Sequence, residues 1–152
     1  MIIDILVIFG LICLNGVLAM SELAIVSARP ARLRPLETKS RGAAAALRLA
    51  EHPGRFLSTV QIGITLVGIL SGALSGATLG LRLTDFLAAK GVPADWAGNI
   101  GVGGVVVVLT YVSLIVGELV PKQLALRNPE AVAIRMAPAM LILSKVAAPV
   151  VL

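Results

Sequence analysis

Charge, aromatic rings and sulfur are all scarce in this 152-residue chain: 14% of its residues are charged, 3% are aromatic, and it holds one cysteine and one histidine. Soluble domains carry roughly 25% charged residues, so the charge deficit alone argues against an aqueous fold. A single cysteine, Cys13, rules out a disulfide-stapled secreted scaffold. No HExxH, CxxC or glycine-rich phosphate loop occurs. The lone His52 stands beside Pro53 in a basic stretch, a helix-end position rather than that of a catalyst. Serine-based hydrolysis within a membrane needs a base in a span, and none is present. An enzyme is not expected.

What the chain has is apolar and small. Hydrophobic residues make up 58% of it, its mean hydropathy is +0.99, and it contains 15 glycines. Such apolar content excludes disorder, and small residues suit membrane helices whose backbones approach closely. Three apolar runs, 2–26, 56–81 and 96–120, each exceed the ~20 residues that cross a hydrocarbon core. The first is too long for a signal peptide, whose apolar region runs ~7–15 residues, and no cation precedes it. The segment 129–152 is a weaker candidate. Arg135, Pro138, Lys145 and Pro149 punctuate it, and its two cations, ten residues apart, cannot share one interface if it spans. A helix on the membrane surface fits it better. The expected fold is therefore an all-α membrane protein in one domain, residues 1–152, with three transmembrane helices plus amphipathic juxtamembrane helices at 37–51 and 129–152.

Charge sets the orientation. Seven of the 13 cations lie between the first two runs and four follow the third, whereas the remaining loop holds only Arg82 and Lys90, balanced by Asp85 and Asp95. By the positive-inside rule the N-terminus is outside and the C-terminus cytosolic. The net charge of +5 thus reports on a lipid bilayer rather than on nucleic acid. The basic helix 37–51 is read as lying on the inner leaflet, drawn by anionic headgroups; a solvated connector is the alternative.

Ionisable groups in a span mark sites or pathways. Glu22 and Glu118 are the carboxylates to explain, both toward the cytosolic ends of their spans. In Gly117-Glu118-Leu119-Val120-Pro121-Lys122, Pro121 lacks the N–H that the Gly117 carbonyl would accept. The freed carbonyl and the carboxylate together offer hard oxygen ligands. An i, i+4 ion pair with Lys122 is the competing account of Glu118. In the second run Gly68, Gly72, Gly76 and Gly80 recur every four residues, with Ser71 and Ser75 beside them. This is an extended small-xxx-small ridge, which predicts close helix–helix contact within the chain or across a dimer axis. The serines point into the bundle, or else bond their own i−4 carbonyls. The inward set of Asn15, Ser21, Glu22, Ser71, Ser75, the Gly117 carbonyl and Glu118 is oxygen-rich, without histidine or cysteine. Such a donor set suits magnesium, calcium, manganese or alkali cations, not zinc or copper.

These residues carry a resemblance. Ser21-Glu22-Leu23-Ala24 is similar to the S-E-x-A pattern of the CNNM/CorC membrane domain. The stretch from Thr59 to Leu66, followed by Gly68-Ile69-Leu70, resembles that domain's second helix, and Gly117 to Lys122 resembles its G-E-x-x-P-K signature. The resemblance implies a bacterial inner-membrane magnesium transporter acting as a homodimer, with efflux coupled to entry of sodium as counter-ion. It also implies metal ligands at Ser21, Glu22, Gly117 and Glu118, with Ser71 and Ser75 as second-helix candidates. ATP would act only through cytosolic CBS domains that lie outside this chain. A passive divalent-cation channel and a non-transporting magnesium-sensing module are the alternative functions.

Overall fold

The computed structural model describes residues 1–151, all of whose regular elements are helical. Helix α1 (Ile2–Ser27) has no proline and is rich in Ile, Leu and Val. It ends because Pro30 disfavours helical backbone at Arg29, which is extended at φ −85° and ψ 120°. A short helix α2 (Pro30–Leu33) and a 3₁₀ turn (Arg34–Leu36) follow. Helix α3 (Arg41–Glu51) starts at Ser40, whose Oγ accepts the Ala43 N–H at 3.3 Å. The expected helix 37–51 is therefore shorter by one turn, because Ser40 caps where Glu37 does not.

Helix α4 (Pro53–Ser75) begins on a proline at its first turn, where the missing N–H has no consequence. It continues through a π-helical turn (Gly76–Gly80) into α5 (Leu81–Ala89). Gly91, at φ 93°, reverses the chain, since that backbone conformation is open to glycine at no steric cost. Helix α6 (Ala94–Leu114) then passes through a second π turn (Ile115–Leu119) into α7 (Val120–Arg127). Helix α8 (Pro129–Val151) runs through Pro138 and Pro149. Leu152, the last residue of the juxtamembrane segment read from the sequence, lies outside the described residues.

The three runs read as spans are all helical, but two are longer than their apolar cores. Pro53–Ala89 is 37 residues and Ala94–Arg127 is 34, about 50–55 Å at ~1.5 Å per residue. Both overreach a hydrocarbon core of ~30 Å. Arg82 and Asp85 end the apolar pattern without ending the helix, because a charge leaves the membrane more readily than it breaks a hydrogen-bond ladder. Among the described residues four helices, α8 included, qualify by length and composition to cross a membrane.

Helix α1 is central, packed against α4, α7, α8 and the second π turn. The apolar core gathers at the basic end of the bundle: Leu18, Ala24 and Ile25 of α1 meet Phe56 and Val60 of α4 and Ala133, Ala137 and Met140 of α8. The sequence reading sets helix 37–51 on the inner leaflet by its charge; the structure adds that the apolar face of α3 is covered by protein. Ala43, Ala45, Ala46, Leu47 and Leu49 are buried, and α8 covers that face. Gly42 lies so close to the Ile134 carbonyl that no Cβ fits between them. An alanine stripe finds a better partner in a small-residue protein face than in mobile acyl chains. Elsewhere apolar side chains such as Ile3, Val107, Val108 and Tyr111 face outward, which suits a lipid environment. At the other end Asp4 pairs with Arg82 at 3.5 Å, fixing α1 antiparallel to the α4–α5 rod.

Candidate functional site

The second π turn supplies the local irregularity on which the site is built. Pro121 has no N–H to return to Gly117, and the helix relaxes over Ile115–Leu119 into wider turns. Asn15 of α1 captures the exposed group: its Nδ2 donates to the Gly117 carbonyl at 3.2 Å. Gly16 lets the helices close, since a Cβ there would stand 2.9 Å from Pro121 Cγ and 3.2 Å from the Val116 carbonyl. The amide's other atom, Oδ1, is buried and has no hydrogen-bond partner among the described residues. An orphaned acceptor in a low-dielectric interior costs about 1–3 kcal/mol, so such a group stands ready for a ligand.

Beside it is a cavity of about 310 Å³ between α1, α4, α6 and the π turn. Asn15, Ser71, Ser75, Thr110, Ser113 and Glu118 supply its polar wall, and aliphatic side chains such as Ile12, Val67, Leu109 and Leu114 the rest. Ser75 and Thr110 turn their hydroxyl protons back to the carbonyls of Gly72 (3.0 Å) and Val106 (2.7 Å), leaving oxygen lone pairs outward. Ser71 and Ser113 make no such backbone bond among the described residues. Glu118 is the only ionisable residue of the wall. Its Oε1 accepts from Lys122 Nζ at 2.9 Å. Among the described residues no three His, Cys, Asp or Glu side chains gather at one place. A cation here meets one carboxylate and several neutral oxygens, a hard and weakly charged donor set.

The residues singled out from the sequence divide into groups. Ser71, Ser75 and Glu118 share the cavity, and Gly117 lies behind it, with its carbonyl already engaged by Asn15. Ser21 lines neither opening: it is fully buried and donates to the Val17 carbonyl at 2.6 Å. Glu22 lines a separate open groove of about 720 Å³ with Ser58, Gln61 and Thr65. The structure thus does not bring Ser21 and Glu22 to Glu118. The proposed glycine ridge is open along most of its length. Gly68, Gly72 and Gly76 have no neighbour near a notional Cβ, whereas Gly80 abuts Val102.

Thr110 and Ser113 are wall residues that the sequence reading passed over. Their signal was phase: with Gly117 they recur at helical spacing, so that two hydroxyls in an apolar run share the face that leads to Glu118.

Comparison with known proteins places the chain. Residues 6–152 match the family model described as the cyclin M transmembrane N-terminal domain (CNNM). The chain is 51% identical over 145 residues to UPF0053 protein sll0260 of Synechocystis, covering 95% of this chain and 32% of that protein. It is 30% identical over 131 residues to the polyamine export protein of Haemophilus influenzae, covering 86% and 30%, respectively. It is also 30% identical over 149 residues to UPF0053 protein YhdP of Bacillus subtilis, covering 97% and 34%. The chain spans about a third of the length of these curated relatives. Long apolar helices and this family match together describe a multi-pass membrane protein. The chain belongs to the CNNM transmembrane-domain family.

Proposed function

We propose that the chain moves magnesium across the bacterial plasma membrane, as efflux coupled to sodium entry. The observation that carries this reading is the cavity whose polar wall holds a single carboxylate and several hydroxyls, beside which the buried Asn15 amide oxygen has no hydrogen-bond partner among the described residues. Glu118, Ser71, Ser75, Asn15 and Ser113 are the proposed contacts, with the Gly117 carbonyl held in place behind them. Ser21 and Glu22 join this set only if α1 turns or slides, because in this conformation they face elsewhere. One carboxylate attracts a divalent cation without trapping it, which transport requires. A passive channel would need the same wall to stay open at both ends, and a sensor would bind without flux.

The proposed assembly is a homodimer joined by small-residue faces. The open stretch Gly68/Gly72/Gly76 supports it, since helices in lipid gain their association from close packing. The proposed topology keeps three crossings, with the N-terminus outside, the C-terminus cytosolic and α8 along the inner surface. ATP acts, in this reading, through cytosolic domains beyond this chain.

A second reading is an organic polycation as cargo, favoured by the relatives named polyamine export protein. Flux into sealed vesicles decides between them. Magnesium uptake that rises with an opposing sodium gradient is the expected result. Spermidine flux without magnesium flux supports the second reading and overturns the first. Magnesium flux indifferent to sodium supports a channel.

A further inference from the structure

The cavity's one carboxylate is already occupied by a cation that belongs to the chain. Lys122 does not line the cavity, yet its Nζ lies 2.9 Å from Glu118 Oε1. Resting on the reading of this cavity as a magnesium site, we propose that Lys122 is a tethered competitor. It neutralises Glu118 while the site is empty and must withdraw when the ion loads, so that it lowers affinity and assists release.

Three observations support exchange rather than a permanent structural pair. The side chains are 35% and 47% exposed for Lys122 and Glu118, so no surrounding protein locks the pair in place, and a partly open ion pair separates more readily than a buried one. Their positions, four residues apart across the π turn and Pro121, hold the ammonium within reach whether or not it is engaged. Finally, a lysine at the end of a span has somewhere to go, because its stem can extend along the helix and deliver the ammonium to the headgroup layer. Nothing else in the polar wall can neutralise the carboxylate: the other polar contributors are an amide and hydroxyls. The arrangement meets the requirement of a transport site directly. A bare carboxylate in an apolar wall is unfavourable when the site is empty, and a site that only attracts is slow to let go.

The consequence is quantitative. A ligand that must displace a resting partner loses apparent affinity by the fraction of time the partner is bound. For an exposed ion pair that reduction is about two- to sixfold. Magnesium titrations by calorimetry on wild type, Lys122→Met, Lys122→Gln and Lys122→Arg test the proposal. Both neutral variants should bind magnesium about two- to sixfold more tightly than wild type and release it more slowly in vesicle efflux. Lys122→Arg, which keeps the charge, should stay near wild type. A purely structural lysine predicts a lower melting temperature in the neutral variants with unchanged or weaker magnesium affinity. That result, against a wild type that binds magnesium, overturns the competitor role and leaves the magnesium site standing. A wild type that binds no magnesium overturns both. The two neutral variants differ in shape and polarity, so misfolding of one leaves the other to answer.

Discussion

At the scale of single residues, Asn15 and Glu118 sit at one cavity but do different work, and thermal unfolding with and without magnesium separates them. Asn15 holds the Gly117 carbonyl at 3.2 Å. Asn15→Ala strands that carbonyl, and the ion-free protein should lose about 1–2 kcal/mol of stability. Glu118→Gln breaks only an exposed ion pair, so the ion-free protein should change by less than about 1 kcal/mol. Its magnesium-induced stabilisation should disappear, because the amide keeps the shape and loses the charge that attracts a divalent ion. A Glu118→Gln protein that is stabilised by magnesium as strongly as wild type would reject the ligand role. The sequence made Glu118 conspicuous, since a carboxylate in an apolar run has few dull explanations. It offered Lys122 as an i, i+4 partner, and the structure forms that pair, but it could not show that Asn15 takes the carbonyl freed by Pro121. That contact depends on which helix lies opposite, and periodicity along one helix says nothing of it.

At the scale of elements, the glycines show why pattern and contact are different things. The four-residue repeat from Gly68 to Gly80 is the strongest small-residue pattern in the sequence, yet only Gly80 meets a neighbour closely within the chain. Among the glycines the tightest approach belongs instead to Gly42, beneath the Ile134 carbonyl. Gly42→Val should therefore detach α3 from α8 and cost about 3 kcal/mol or more, at the upper end of overpacking effects. Gly72→Ala should be tolerated by the isolated protomer. If the open ridge is a dimer contact, Gly72→Leu should shift the chain toward monomer in detergent while each protomer keeps its helicity, as sedimentation and circular dichroism would record. Unchanged dimers would remove the ridge from the interface and leave Gly68 and Gly72 as cavity wall alone. The long apolar helices were readable from apolar length, although the second opens on Pro53 rather than at Phe56, where the sequence reading began it. The π turns were not: the second rests on the donor that Pro121 lacks and on the packing of Asn15 and Gly16 against it, and the first has no proline to announce it.

At the scale of the whole molecule the open choice is between three crossings and four, and it turns on α8. Length and apolar content allow this helix to span, but its neighbours point the other way. Its first half is covered by α3, a helix with exposed Arg41 and Arg48 that belongs at a basic interface. Arg135 and Lys145 are both exposed; a spanning α8 would place one of them against lipid, at about 2.5–3.5 kcal/mol if near the centre. Lying along the inner surface, both reach headgroups. A single cysteine placed at Lys145, in a protein whose native Cys13 is replaced by serine, reads the difference. With three crossings a membrane-impermeant maleimide should label it only from the cytosolic face, in inverted vesicles and not in intact cells. Four crossings would carry position 145 toward the outside and reverse the pattern, taking the positive-inside assignment of the C-terminus with it. The same labelling at Lys90, in the turn between α5 and α6, should be confined to intact cells in either case. A Lys90 probe that labels only from the cytosolic face would invert the entire topology, and with it the direction in which Lys122 is proposed to release its ion.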